Sequence, residues 1–427
     1  MNTDELRQAL VEKLTEQRVI QSPLVKEAMS HVPRHIFVPH VPVEEAYQDQ
    51  VIFHKIVDNQ LISSASQPVV IAFMLEQLEL EPGHKVLEIG AGTGYNAALM
   101  AHIVGEAGQV VTIDIDDDLV AGARAKLDEV GFPQVKTICA DGGYGYIEDA
   151  PYDRIILTVS ASDITPSWQE QLAIGGHLVL PFSLLSQEAS IAFVKEAVDP
   201  SDPENQVGMT RLRNTSTRRC TFIELRGEFA EGESNDNRSA LDDDLDVIYG
   251  EDQALDPAQI YEWLQGPYEE HSTRVMINYY GLTESLSPWI FLHDLPALRL
   301  EAEQEMAERD LVPPLIGRGG EHKWTSTGGL VSAKGMALLS QPNHMGRPTD
   351  DDARSRDSFY QLQVRAYGDD PELAQQLVES CQAWSRANRP MLEDMNIYVY
   401  PKEAKSAAET HQFIVEKTWN CLGLDLK

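Results

Sequence analysis

The chain has 427 residues, 42% of them apolar and 24% charged, which is enough to bury a sizeable core and to form two domains or three. Against 34 Lys and Arg stand 68 Asp and Glu, a net charge of −34, and a surface of that sign repels phosphate backbones and anionic lipid, so neither nucleic acid nor membrane is expected as a partner. Four cysteines (Cys139, Cys220, Cys381, Cys421) lie far apart with no CxxC pair, which argues against a zinc ribbon or a disulfide framework and fits a reducing compartment. With no long apolar run and a charged N-terminus lacking a signal-peptide core, a cytoplasmic location is expected. The oligomeric state is not legible.

Residues 1–50 read as helical, with Leu6, Leu10, Val11 and Leu14 at helical spacing behind a possible cap at Thr3. His31, His35 and His40 invite a metal reading, but Pro33 and Pro39 break any common helical face, so no metal is expected. From 69 to 226 short apolar runs alternate with amphipathic stretches. Strands are expected at Lys85–Ile89, Gln109–Ile113, Val135–Cys139, Arg154–Val159 and His177–Pro181, with Ile191–Val194 and Thr221–Leu225 further on. Helices are expected at Tyr95–Val104, Asp117–Val130 and Gly145–Asp149. Such strand–helix–strand spacing implies parallel pairing with right-handed crossovers, a doubly wound α/β sheet. Residues 227–256 then carry eleven acids and one base, and read as an acidic linker or long loop. Residues 257–427 read as a second, α+β unit, with a strand at Phe359–Ala366, a helix at Pro371–Asn388, a strand at Met395–Tyr400 and core material in Trp263, Trp289, Trp324, Trp384 and Trp419. Within it Ile316–Gly329 is a glycine-rich loop without the GK[ST] of a phosphate loop.

The strongest local signal is Glu88-Ile89-Gly90-Ala91-Gly92-Thr93-Gly94 at the end of an apolar strand and the start of a helix. Glycines there turn the backbone tightly and let an adenosyl group lie against it. Asp114 closes the second strand, about twenty residues on, where an acid can take two ribose hydroxyls. Asp141 and Gly142 follow the third strand; Asp141 could accept from an adenine amino group, and Gly142 keeps the loop close. Any one of these has an ordinary explanation, glycine for a turn or aspartate for a cap. In one frame they point to S-adenosyl-L-methionine, whose positive sulfonium suits Glu88, Asp114 and Asp141. Thr158 and Ser160, after the fourth strand, belong at the carboxyl-end cleft, with a substrate role and a core-edge role both open.

With Val32-Pro33-Arg34-His35-x-Phe37-Val38-Pro39, Ala46-Tyr47 and Ser66-Gln67-Pro68, residues 5 to 226 resemble the protein-L-isoaspartate O-methyltransferase family. The resemblance implies a Rossmann-like class I methyltransferase sheet and methyl transfer to a peptide carboxylate. The family's Thr-Ile-Ser-x-Pro stands here as Ser64-Ala65-Ser66-Gln67-Pro68, so the serine carries over to Ser66 while the two preceding residues depart. A carboxylate is already ionised at neutral pH and needs no general base. Ser66 is therefore assigned to positioning the acceptor, with Ser64 beside it, and a cap on the helix starting at Pro68 is the competing role.

The C-terminal extension resembles a branch that acts on ribosomal peptides such as lanthipeptides, on Tyr95-Asn96-Ala97-Ala98-Leu99, Tyr152-Asp153-Arg154-Ile155-Ile156 and Ser287-Pro288-Trp289. That branch methylates an aspartate of a cyclised precursor peptide, and the ester closes to an aspartimide. The resulting expectation is a methyltransferase domain at 1–226, a linker at 227–256 and a peptide-docking accessory domain at 257–427, with a modified precursor peptide as partner. Isoaspartyl repair is the alternative function, and a non-catalytic peptide-binding scaffold is the second.

Overall fold

The computed structural model describes residues 2–184, 187–198, 209–230, 236–242, 244–250, 255–278, 281–293, 295–303, 306, 310–313, 324–341 and 359–427. The chain forms two compact units. The first comprises residues 1–184, 188–232 and 396–425; the second comprises 233–395 with short flanking pieces.

The first unit opens with α1 (Thr3–Glu16) and α2 (Pro23–His31). The cap of α1 is Asn2, not Thr3: its side chain accepts from Glu5 N while Glu5 accepts from Asn2 N. A two-stranded antiparallel hairpin follows, β1 (Ile52–Val57) with β2 (Gln60–Ala65), then α3 (Pro68–Leu78). The expected alternation begins at β3 (Lys85–Ile89), α4 (Tyr95–Val104), β4 (Gln109–Asp114), α5 (Asp117–Glu129), β5 (Lys136–Cys139) and β6 (Tyr152–Leu157). The helix expected at Gly145–Asp149 is reduced to two short 3-10 turns, Gly142–Tyr144 and Ile147–Asp149. Long strands β7 (Leu172–Leu184), β8 (Gln187–Ala197) and β9 (Thr210–Arg219) follow.

Strands β5, β4, β3, β6 and β7 pair in parallel, the doubly wound sheet that the spacing implies. Its apolar strands are buried on both faces: Val86, Leu87 and Ile89 in β3, and Ile155, Ile156 and Leu157 in β6, are each at most 2% exposed. Beyond β7 the sheet continues through β8 and β9, which are antiparallel to each other.

The second unit carries a seven-stranded sheet. Its strands are β10 (Asp236–Asp242), β11 (Leu245–Gly250), β12 (Tyr268–Ile277), β13 (Ala297–Glu303), β14 (Trp324–Val331), β15 (Gly335–Ser340) and β16 (Tyr360–Gly368). Every assigned pair in it is antiparallel. The helix Pro371–Arg386 packs Leu373, Leu377, Cys381 and Trp384 on Ile277, Leu339, Leu362 and Val364. The helix Pro257–Gln265 contributes Ile260 and Leu264 to a second cluster with Val247, Leu300 and Leu338.

Three expectations are corrected here. The acidic stretch at 227–256 is not wholly a linker, because β10 and β11 form within it. Leu245, Val247 and Tyr249 enter one cluster, and the acids that precede them at 242–244, with Asp246, outweigh them in a composition count. Residues 324–329 of the glycine-rich stretch are strand; the rest of it, 316–323, lies outside the described residues. Most consequentially, β17 (Met395–Pro401), β18 (Phe413–Glu416) and β19 (Asn420–Leu426) do not complete the second unit's sheet. They extend the first unit's sheet to ten strands, ordered β18-β19-β17-β9-β8-β7-β6-β3-β4-β5. The second unit is thus inserted between β9 and β17.

Candidate active site

At the carboxyl ends of β3, β4 and β6 the first unit encloses a cavity of about 500 Å³. Its floor is the glycine turn. Gly90 (φ +97°), Gly92 (φ +50°) and Gly94 (φ +88°) all take left-handed backbone that side chains disfavour. At Gly90 a Cβ would stand 2.6 Å from Thr158 Oγ1. The Gly92 N–H donates to Asp114 Oδ2 at 2.9 Å, which ties the turn to the end of β4.

Glu88 is fully buried on the cavity wall. Its oxygens accept from Asn96 Nδ2 at 2.8 Å and Thr112 Oγ1 at 2.6 Å. Burial nevertheless pushes its carboxyl up to about 7, outweighing both donors. Burial also raises Asp114, against the N–H groups of Gly92 and Asp116. Two acids in one wall, both raised by burial, with the Arg226 charge only partly offsetting it at Asp114, make a site that favours a positively charged ligand. The adenosyl sulfonium and its ammonium group fit that requirement. Gly142 also lines the cavity, and a Cβ there would meet Ile89 Cγ2 at 2.5 Å, so only glycine lets this loop lie against β3.

Ser64 and Ser66, at the end of β2, also line the cavity, beside the glycine turn: a Cβ at Gly92 would lie 3.9 Å from Ser64 O. The competing role for Ser66 is not realised. The N-cap of α3 is Gln67, without a side-chain cap bond, and the Val69 N–H is taken by Asp49 Oδ1 at 2.9 Å.

Two expected site residues have other tasks. Asp141 is not on the cavity wall; its carboxylate accepts from Gly143 N at 2.8 Å and from Glu228 N at 2.7 Å, fastening the segment after residue 226 to this loop. Ser160 is buried away from the cavity with Ser183 Oγ at 3.3 Å. Thr158 does line the cavity, but its hydroxyl donates to Gly90 O at 2.6 Å. The three histidines do not converge. His31 stacks on His102, His35 bonds Tyr47 and His40 bonds Phe53 O. Among the described residues no group of three metal-ligating side chains occurs.

Sequence reading missed two parts of the wall. Arg34 is completely buried, its Nε donating to Ala46 O and its Nη2 to Ser66 O, both at 3.0 Å, with the guanidinium over the Tyr95 ring. It therefore fixes the backbone that presents Ser66; the signal was a charged residue inside an otherwise apolar helical segment. The second part is the stretch 221–226, read as a strand. It runs along the loop after β6 as a wall of the cavity, with Ser160 N donating to Ile223 O and Leu225 N to Ser160 O, each at 2.8 Å. Glu188 holds it by accepting from Phe222 N, and burial pushes that carboxyl up to about 7.

A parallel α/β sheet with a glycine turn and an acid after successive strands defines a class I methyltransferase. Residues 5–211 match the family model for protein-L-isoaspartate(D-aspartate) O-methyltransferase. The chain is 39% identical over 229 residues to protein-L-isoaspartate O-methyltransferase 2 of Archaeoglobus fulgidus, covering 96% of that protein and 54% of this chain. A Methanopyrus kandleri protein-L-isoaspartate O-methyltransferase is also 39% identical, over 231 residues and 95% of its length. Among solved structures, one titled protein-L-isoaspartate O-methyltransferase aligns over 92% of this chain and 96% of its own, with 22% identity and a TM-score of 0.48. A Plasmodium falciparum relative in complex with S-adenosyl-L-homocysteine aligns over 52% of this chain and 98% of its own, with 19% identity and a TM-score of 0.43. The chain belongs to the protein-L-isoaspartate O-methyltransferase family. It is a carboxyl O-methyltransferase whose methyl donor is S-adenosyl-L-methionine. No helix among the described residues is long and apolar enough to cross a membrane.

Proposed function

We propose that the enzyme methylates the free carboxylate of an L-isoaspartyl residue in a peptide or protein, the first step of returning it to aspartate. The observation that carries this reading is one cavity lined by the glycine turn, by two acids that burial raises and by Ser64 and Ser66. In it Glu88, Gly90, Gly92, Asp114 and Gly142 hold the cofactor, and Ser64 and Ser66 hold the acceptor; Gly94 lies off the cavity, where a Cβ would meet Ala123 at 3.1 Å, and shapes the turn. Identity of 39% over nearly the full length of two relatives bearing that name supports the acceptor class.

Bound S-adenosylmethionine supplies a methyl group already activated by its sulfonium. The residues of this chain have to align one carboxylate oxygen with that methyl and keep water out. Such positioning and desolvation can supply roughly 7–11 kcal/mol in favourable cases. The Ser66 hydroxyl donates to the other carboxylate oxygen, and Arg34 keeps the Ser66 backbone in place. Once esterified, the acid carries methoxide as its leaving group instead of hydroxide. The following backbone nitrogen attacks the ester carbonyl, loses its proton and expels methanol, and a five-membered succinimide forms. Hydrolysis of that ring yields aspartyl and isoaspartyl peptide.

A second reading rests on the inserted unit, which lies beyond residues 5–211 that the family model matches. In it the acceptor is an ordinary aspartate of a cyclised ribosomal peptide, the second unit docks that peptide, and the product is the aspartimide. Incubating the full chain with labelled cofactor, an isoaspartyl peptide and a cyclised aspartyl peptide separates the two. Label on the isoaspartyl peptide, with methanol release, is the expected result. Label on the cyclised peptide alone, with net loss of one water, would replace the first reading with the second. In either assay Ser66→Ala should lower kcat/KM about ten- to hundredfold, the worth of one hydrogen bond to a charged acceptor.

A further inference from the structure

Four large apolar side chains stand in solvent within residues 51–57: Val51, Phe53, Ile56 and Val57, with Phe53 60% and Ile56 59% exposed. Single exposed apolar residues are ordinary, but a cluster on one small element marks a contact surface. The hairpin register places Phe53 opposite Ser64 and Ile56 opposite Leu61, and residues directly opposed across a ladder share a face. Ser64 and Leu61 line the active-site cavity, as do Val51 and Phe53. Val51 and Phe53 therefore stand in the wall of the cavity that holds Ser66, and past two register shifts the hairpin carries Ile56 and Val57 in solvent, one on each face of the ladder.

The cations beside the hairpin are already matched. Lys55 Nζ lies 2.7 Å from Asp118 and 3.5 Å from Asp116, and Arg226 Nη2 lies 2.6 Å from Asp116. The Lys55 pairs tie the hairpin to the start of α5 and occupy its lysine within the protein; the remaining cation of the cavity wall, Arg34, is completely buried beneath Ser66 and not offered to the flanking peptide. A peptide that delivers a carboxylate to Ser66 has to pass over the hairpin, where it meets apolar side chains on a protein whose net charge is −34. Apolar flanking residues gain from that contact, and acidic ones are repelled.

We propose that the β1–β2 hairpin is the specificity surface of this enzyme, and that its partner is the peptide segment flanking the methyl-accepting acid, selected for apolar side chains. The proposal deepens the functional reading above and rests on the acceptor being a peptide carboxylate. Two isoaspartyl hexapeptides test it, one with Leu and Phe beside the acid and one with Ser and Glu. Fluorescence anisotropy with S-adenosylhomocysteine present gives each Kd, and turnover is measured in parallel. The full-length enzyme is expected to bind the apolar peptide at least tenfold tighter. Replacing Ile56→Thr and Val57→Thr keeps β-branched residues in the strand while removing apolar surface. It should weaken the apolar peptide about tenfold and leave the polar peptide, the cofactor Kd and kcat at saturating peptide unchanged. Ile56→Leu with Val57→Ile should retain tight binding. Equal affinities for the two peptides, or a threonine variant that binds both as the parent does, would overturn the proposal. Apolar-selective binding without methyl transfer to either peptide would instead remove the isoaspartyl reading and leave the docking surface standing.

Discussion

The two halves of the ten-stranded sheet give their charged side chains different partners. In the parallel half, Glu88 and Asp114, near the ends of β3 and β4, line a cavity, and burial raises both above their ordinary values. In the antiparallel half, partly exposed charges are paired with one another. Arg211 and Arg213 pair with Glu196, Tyr400 bonds His411 at 2.9 Å, and His411 bonds Asp425 at 2.7 Å. Although burial works against it, the Gln412 N–H and His411 hold Asp425 below its ordinary value. Burial raises acids of both kinds: Glu188, which holds Phe222 N, and Asp163, which holds Trp419 N and Asn420, are raised as Glu88 and Asp114 are. What separates the two uses is the partner, since Glu88 and Asp114 line a cavity while Glu188 and Asp163 hold neighbouring segments of the chain.

The comparison breaks most visibly at Gly92. Valine there must adopt φ +50° and extend a branched side chain at the cavity floor. Affinity for S-adenosylhomocysteine by calorimetry should fall at least about a hundredfold, or ~2.7 kcal/mol, with an unchanged circular dichroism spectrum. A folded variant of parental affinity would show that the parallel half is not the cofactor site.

Asn420→Ala probes the other half. The Asn420 amide donates to Asp163 Oδ1 and Ile164 O, both at 2.6 Å, and Gln169 donates to its oxygen. Leaving those buried groups unpaired should cost about 2 kcal/mol and lower Tm by roughly 4–8 °C, while the cofactor Kd at low temperature stays the same. A matching loss of cofactor affinity would mean that the halves are not separable.

The smallest effect is the dependence of Glu88 on pH. Its value of about 7 lies above its ordinary 4.5, so the folded chain holds a proton there that the unfolded chain has released. The stability from this group is complete below 4.5 and is lost as pH rises through about 7. A cationic ligand prefers the ionised form, so cofactor affinity should rise about three- to tenfold between pH 6 and 8. Glu188 is also pushed up to about 7, and Glu88→Gln separates the two. A flattened profile in that variant assigns the effect to Glu88; an unchanged profile assigns it elsewhere.

What the sequence disclosed follows the same division. Lys85–Ile89 and Tyr95–Val104 are found at their expected bounds because an apolar run, a glycine turn and a helical repeat are local signals. Asp114 and Asp141 look alike in sequence, each just past the end of an apolar run. Only the folded chain shows that Glu228 N occupies Asp141, and that partner comes from 87 residues away. Met395–Pro401 reads correctly as a strand, but its place beside β9 depends on the pairing of Tyr398 with Arg213 and Val399 with Leu212, which no window can see. Thr221–Leu225 has a strand's composition and serves as a cavity wall because Ser160 bonds it at a single bridge.

The insertion of the second unit between β9 and β17 also sets an order of events during synthesis. A ribosome that has finished β9 has more than 160 residues still to make before β17 emerges. At roughly 5–20 residues per second the antiparallel edge waits on the order of ten seconds or more for its neighbours. During that interval β9 exposes an unpaired edge, and Asp163 has yet to meet Trp419 and Asn420. A nascent chain arrested before residue 396 therefore carries the glycine turn and Ser66 without the strands that extend their sheet, which makes β17, β18 and β19 the strands that decide when the first unit is finished.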